Sequence, residues 1–368
     1  MKVSSENKCI RYLFSRFSGV LPLVCIAMAI HFQMIFFAES IPSQKFLFLF
    51  FFLSIVILPG YLLTRIILPT IRTCHKILFS LTFGSVAIFL FLIIFTLFNL
   101  DIFYIAILIP LLTIVLAYLI QYRSLRGFDL PVYNKPLSRY TITILIIVSV
   151  FISLIILLKG DPVLYTSDSP DNMAYIRTIT RSHEAFPDEF LYRNGGILTR
   201  DIRRGLFHSV WGTINLLTGR VEVYPIWPLL SCIGSLFLIL SIFCLGLQYF
   251  NNQVIGILGV LLYLLFYQKG LAGHQLVTHA YSFNLARIYL LTSLLFVPLY
   301  FRSGNKVIIL LVAASSFAAT GTHISHIMIL LFALFVFSVA ELFQATARLR
   351  RKLVKKDLPI LFGIVILV

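Results

Sequence analysis

"YTITILIIVSVFISLIILLKGDPVLYTSDSPDNMAYIRTI", residues 140–179, changes character in the middle. Residues 140–158 carry no charge and match the length of about 20 residues that crosses a bilayer core. The next twenty residues bring Asp161, Asp168 and Asp171, with Ser169-Pro170 between the last two. An uncharged run of this length that opens into an acidic, proline-containing segment reads as a membrane span leaving the bilayer. The rest of the chain agrees. Of its residues 60% are apolar and only 12% charged, with a mean hydropathy of +0.97. A soluble domain carries about twice that charge, so the expected class is an all-α polytopic membrane protein.

Outward from that stretch, apolar runs at 18–38, 46–68, 76–98, 102–121, 224–250, 253–267, 283–301, 306–320 and 322–343 join 140–158 as candidate spans. An eleventh begins at 358 and stops at Val368, after about eleven of the 20 residues a span needs, so the chain is expected to be part of a longer one. The net charge of +16 invites a nucleic-acid partner, but its distribution argues against one. Nineteen of the 30 basic residues fall in the N-terminal segment and in alternate short loops, the last being "RLRRKLVKK" (348–356). This is the positive-inside pattern, which predicts a cytoplasmic N-terminus, and the last cluster also suits anionic membrane lipids. Residues 1–40 have a basic start and a long apolar core with no small-x-small cleavage site, so they are expected to remain as the first helix. Five cysteines show neither a disulfide framework nor CxxC spacing.

With that topology, residues 159–223 form one large outer loop holding eight of the 14 acidic residues. Two modules are expected: 1–138, with four nearly non-polar spans, and 139–368, with every candidate for chemistry. "YRSLRGFDLPVYNKPLSR" (122–139) is the seam between them. Pro59-Gly60 should break or kink the second span. Within the loop, Ser169-Pro170-Asp171 predicts a helix start, with serine as N-cap and an acid near the positive helix end. "GLFHSVWGTINLLTG" (205–219) predicts a second helix with Leu206, Phe207, Val210, Trp211, Ile214 and Leu217 on one side. A Trp-bearing apolar face beside a span suggests a helix lying on the membrane surface.

The span 140–158, the early Asp of the loop and "LFHSVWGTINLLTGRVEVYPIWPLLSCIGSLFLILSIFCLGLQYF" (206–250) together resemble the first part of a GT-C-type membrane glycosyltransferase. The likeness covers roughly residues 140–343. "LPGY" in the second span is also similar to the N-terminal regions of some bacterial membrane proteins of this kind. The chain departs from the pattern in placing four spans before the loop, where better-known members begin with it. The resemblance implies an integral protein of a bacterial or archaeal plasma membrane. Its first outer loop would carry an acidic motif and surface helices. Its donor would be a sugar on a polyprenyl phosphate, and its acceptor a cell-envelope glycan or lipid.

Such a transfer needs positive charge or hydrogen-bond donors at the leaving phosphate and a base at the acceptor hydroxyl. Asp168 is the candidate base. Asp171 is paired with it in the motif but is accounted for by its place near a helix start. Arg203, Arg204, Lys269, His279, Arg287 and His323 are the candidate phosphate ligands, with His274 and His326 beside them. Ordinary structural roles compete: Arg203 and Arg204 suit lipid headgroups, Lys269 a water boundary, and the histidines of "TGTHISH" (320–326) backbone groups. Arg287 alone among the cations lies well inside a span, where charge is costly and usually functional, although it can also snorkel outward. No zinc spacing is present; Mg²⁺ or Mn²⁺ between Asp168 and a diphosphate is an open expectation. Two further readings stand beside the enzyme: a transporter or lipid flippase, and a non-catalytic subunit of envelope assembly.

Overall fold

The computed structural model describes residues 20–69, 71–122, 136–158, 168–187, 202–266, 282–303, 306–323 and 325–344, with residues 359 and 363. Among them the regular structure is entirely helical. In chain order the helices are α1 (Val20–Phe36), α2 (Gln44–Ile67), α3 (Thr73–Leu97), α4 (Ile105–Tyr122), α5 (Arg139–Leu158) and α6 (Asp168–Ser182). They continue with α7 (Ile202–Leu217), α8 (Trp227–Phe250), α9 (Gln253–Phe266), α10 (Ser282–Ser303), α11 (Lys306–Thr322) and α12 (Ser325–Gln344). Among the described residues, five helices are long and apolar enough to cross a membrane: α2, α3, α4, α5 and α8. Shorter apolar helices occupy α1, α9, α10, α11 and α12. A helix meets its backbone hydrogen bonds internally, which is what a chain this apolar requires in hydrocarbon. Ile146, Ile147, Val150, Phe151 and Leu154 of α5 are exposed large apolar side chains, a surface suited to lipid rather than water.

The connections gather at two ends. At one, called upper here, Arg220 Nη2 donates to the Ile41 carbonyl at 2.8 Å. There Gln44 Nε2 donates to the Glu222 carbonyl at 2.6 Å, and His183 Nδ1 pairs with Asp101 Oδ2 at 2.9 Å. At the lower end the Ser138 amide donates to Gln253 Oε1 at 2.9 Å.

The break expected at Pro59-Gly60 takes another form. Instead of ending, α2 widens into a π-turn over Leu53–Ile57 and then continues. Pro59 lacks the amide that an α-helix needs there, and a π-turn just before it redistributes the hydrogen bonds without stopping the helix. Gly60 and Gly84 then let α2 and α3 touch backbone to backbone. A Cβ at Gly84 would overlap the Val56 carbonyl, and one at Gly60 the Ser80 carbonyl.

One buried cluster, from Ala38 to Leu334, crosses the expected seam at 122–139, with Phe79 of α3 against Phe296 of α10 at 4.6 Å between ring centroids. A smaller one, of Val24, Met28, Leu62, Leu116 and Ala117, lies within the first four spans. The N-terminal part also holds a buried polar group. His31 is fully buried, its Nε2 donating to the Ala106 carbonyl at 3.1 Å and its Nδ1 meeting Ser54 Oγ at 2.9 Å.

Gly84→Ala forces α2 and α3 apart and is expected to cost about 1–3 kcal/mol, the usual range for overpacking. Thermal melting of the detergent-solubilised protein checks this, with Gly363→Ala, where an added Cβ meets nothing within 4 Å, as the control. Equal melting temperatures for the two variants would contradict the close approach.

Candidate functional site

The helix expected on the membrane surface is instead packed inside the bundle. Trp211 of α7 is buried between Phe48 and Phe52 of α2, at ring distances of 5.9 and 5.7 Å. Leu206, Phe207, Val210, Ile214 and Leu217 are buried too, and so are Ser209, Thr213 and Asn215 on the other side. Sequence reasoning treated the apolar side as a lipid-facing surface. The opposite side, however, pairs its polar groups within the protein: Ser209 Oγ donates to the Ala185 carbonyl, and Asn215 Nδ2 donates to the Arg220 carbonyl at 3.0 Å. A helix with partners all round belongs in a core.

How deep α7 reaches follows from the register of its neighbours. Tyr289 bonds Ser85 at 2.8 Å and Thr292 approaches Thr82 at 3.5 Å, so α10 runs antiparallel to α3. Arg287 is therefore level with about residue 87 of α3, roughly 15 Å short of its upper end at Leu97 at 1.5 Å per residue. Ser293 of α10 bonds Ser315 of α11 at 2.7 Å, which brings Gly321 to the level of Arg287. Gly321 in turn faces Leu206 of α7, whose side chain fills the space a Cβ would take. An independent route agrees. Asn215 meets Gln44 at 2.9 Å and Trp211 meets Phe48 and Phe52, so α7 runs antiparallel to α2. Leu206 then lies about ten residues, or roughly 15 Å, below Gln44.

Helix α6 lies parallel to α7. His208 Nε2 meets Asn172 Oδ1 at 2.7 Å, Gly212 faces Ile179, and Asn215 Nδ2 donates to Thr180 Oγ1 at 3.3 Å. That register sets Asp168 and Asp171 level with Arg203, Arg204 and Leu206. The backbone thus carries Asp168, Asp171, Arg203, Arg204, Arg287 and the turn before His323 to one recessed level. The side chains of Asp168, Asp171, Arg203 and Arg204 lie outside the described residues, as do Lys269, His274 and His279 entirely. One expectation changes. Helix α6 begins at Asp168 rather than after Ser169, so both acids occupy its opening turns and position alone does not distinguish them.

The described side chains at this level form a polar knot around Phe283. The Arg287 guanidinium stands 4.3 Å from the centre of the Phe283 ring, and its Nη1 donates to Asn284 Oδ1 at 3.1 Å. His323 and His326 meet the edges of the same ring, with centroids 5.2 and 4.9 Å away. His323 Nδ1 meets Ser325 Oγ at 2.8 Å. Both ring nitrogens of His326 and the hydroxyls of Thr320 and Thr322 are buried with no hydrogen-bond partner among the described residues. Buried polar groups in native proteins nearly always have partners. These polar atoms on adjoining turns, without partners among the described residues, suit a polar ligand. The first described turns of α6, α7, α10 and α12 bring positive helix ends to this region, a setting that favours an anion.

Cost and residue type single out Arg287 and His323 in the sequence. They miss Asn284, Thr320 and Thr322, whose ordinary polarity gives no signal until they are seen buried. They miss His183 and Asp101 as a pair as well. Together with Glu184, Ser182 and Asn99 they line a cleft of about 230 Å³ at the upper rim, away from the recessed level. No group of three metal-binding side chains forms at the recessed level among the described residues. No protein-family model, curated protein or solved structure matches the chain.

Proposed function

We propose that the protein is a GT-C-like membrane glycosyltransferase that takes a sugar from a polyprenyl-phosphate-linked donor and passes it to an extracytoplasmic glycan or lipid acceptor. The recessed polar level carries this reading: acidic helix openings, cations and orphaned hydroxyls share one depth inside an otherwise apolar bundle. A lipid-linked phosphosugar presents the matching chemistry, with a long apolar chain, an anionic phosphate and a polar sugar. The positive-inside pattern supports a cytoplasmic N-terminus and lower end, an extracytoplasmic upper end, and about ten or eleven spans in the full arrangement. In this reading α6 and α7 dip into the bundle from the outer side rather than lying on the membrane.

The step balances simply. The acceptor hydroxyl oxygen attacks the anomeric carbon, the carbon–oxygen bond to phosphate breaks, and polyprenyl phosphate leaves with the bonding pair. Asp168 takes the hydroxyl proton and later releases it to solvent. Arg287, with Arg203 and Arg204 at the same level, offsets the charge that builds on the phosphate. Lys269 and His279, on the connection that leads into α10, are further donors to it. Mg²⁺ or Mn²⁺ at the carboxylates would add to the same stabilisation.

A second reading, transport or flipping of the same lipid, is favoured by two features: helix openings inside the bundle and the π-turn of α2. Discontinuous helices of that kind mark transporter sites. The two readings differ in product. Purified protein given a polyprenyl-phosphate sugar and acceptor should yield a covalent sugar–acceptor product and free polyprenyl phosphate. Asp168→Asn should cut that rate by a factor of about 10²–10⁴, as expected for loss of a positioned base. The same assay on Asp171→Asn decides which acid of the opening turns is the base: with Asp168 in that role, Asp171→Asn keeps much of the activity and loses only about 0.3–1 kcal/mol of helix-end stabilisation. Full turnover in Asp168→Asn would overturn Asp168 as the base, and intact donor carried across a vesicle bilayer with no new bond would overturn the transferase.

A further inference from the structure

A second cluster of chemically competent side chains lies at the lower end, away from the recessed level. Cys74 and His75 stand in the opening turn of α3, and Cys244 lies in the lower part of α8. One ligand atom from each lies within 4.8 Å of the others. Cys74 Sγ is 3.4 Å from His75 Nδ1. All three residues are buried: Cys74 is 8% exposed, His75 2% and Cys244 0%. The Nε2 of His75 is buried without a hydrogen-bond partner among the described residues, an unusual state for an imidazole that served only as packing.

We propose that Cys74, His75 and Cys244 bind a single cuprous ion. Two sulfurs and an imidazole form a soft ligand set, which selects Cu⁺ or Zn²⁺ over harder cations. Coordination number separates the two. Protein zinc is four-coordinate, either closed by a fourth side chain or completed by water. Here no fourth Cys, His, Asp or Glu joins the group among the described residues, and the cluster is buried. A three-coordinate ion fits, and Cu⁺ accepts that geometry.

Charge points the same way. Two thiolates with Cu⁺ leave one negative charge. The positive opening of α3 and the Arg72 guanidinium, whose charge reaches Cys244, offset it. A Cys74–Cys244 disulfide is the other chemistry open to this pair. The basic lower end, cytoplasmic by the positive-inside pattern, keeps thiols reduced. A bound ion would join α3 to α8 across the sequence boundary at 122–139 and would stabilise the folded state by binding it selectively.

The test uses the full chain purified in detergent under reducing conditions. It is titrated with Cu⁺ against bathocuproine disulfonate, with Zn²⁺ in parallel. One Cu⁺ per chain should be retained, and X-ray absorption at the copper edge should show two sulfur ligands and one nitrogen. Cys74→Ser and Cys244→Ser should each weaken Cu⁺ binding at least about 100-fold, beyond the loss expected for an outer-shell partner. Cys232→Ser, a buried thiol elsewhere on α8, should leave it unchanged. Added Cu⁺ should raise the melting temperature of wild type but not of Cys244→Ser. Failure to hold Cu⁺ against the chelator, preference for Zn²⁺, or a Cys74–Cys244 disulfide found after alkylation and mass spectrometry would each overturn the assignment. If the serine variants do not fold, the wild-type absorption spectrum decides alone, since any ligand set other than two sulfurs and one nitrogen contradicts the site.

Discussion

Leu206 of α7 rests where Gly321 of α11 has no side chain, and the recessed level exists because of that contact. Any larger residue at 321 would push α7 away from α11. The opening of α6 would move with it, because α6 and α7 are held together by the Asn172–His208 bond and by Ile179 against Gly212. The anchor at the other end of the pair is polar: Gln44, Asn215, Thr180 and the carbonyls of Arg220 and Glu222 form one network. An apolar wedge below and a hydrogen-bonded clasp above hold two short helices inside a bundle. There the burial of Trp211 offsets the loss of solvent around their polar groups.

That arrangement explains why charge is tolerated deep in an apolar protein. Arg287 has the face of Phe283 and the amide oxygen of Asn284 beside it, so its guanidinium is not left to hydrocarbon. The helix openings around it supply amides rather than carbonyls, and the region has a sign: it favours an anion. Against that background, the hydroxyls of Thr320 and Thr322, without partners among the described residues, are donors for an acceptor. A phosphate with a sugar attached supplies several. The knot, half-buried at Arg287 and His323, and the exposed His183–Asp101 pair therefore differ in kind. The latter is water-accessible and contributes little beyond fixing a rim.

The helical class and the positions of the apolar helices were legible because hydrocarbon imposes a length and a composition that local sequence records directly. Arg287 was legible for the related reason that a charge in such a run is rarely accidental. Depth was not legible. Whether the apolar face of 205–219 meets lipid or protein depends on Phe48, Phe52 and Gly321, which lie far away along the chain. The same limit hid the pairing of Cys74-His75 with Cys244, because spacing motifs detect ligands close in sequence and these are not. At Asp168 the local rule misled. A Ser-Pro-Asp start looked complete, while the helix in fact opens at Asp168 and includes both acids.

The central claim is that the phosphate of a polyprenyl-linked donor sits at the level of Arg287. A polyprenyl-phosphate analogue with a photoreactive diazirine beside its phosphate tests this most directly, with adducts mapped by mass spectrometry on the purified full chain. The account predicts adducts on residues 283–287, on 320–326 and on the opening turns of α6 and α7, reduced by competing unlabelled polyprenyl phosphate. Adducts confined to the lipid-facing side of α5 or to the lower end, unaffected by competitor, would contradict it.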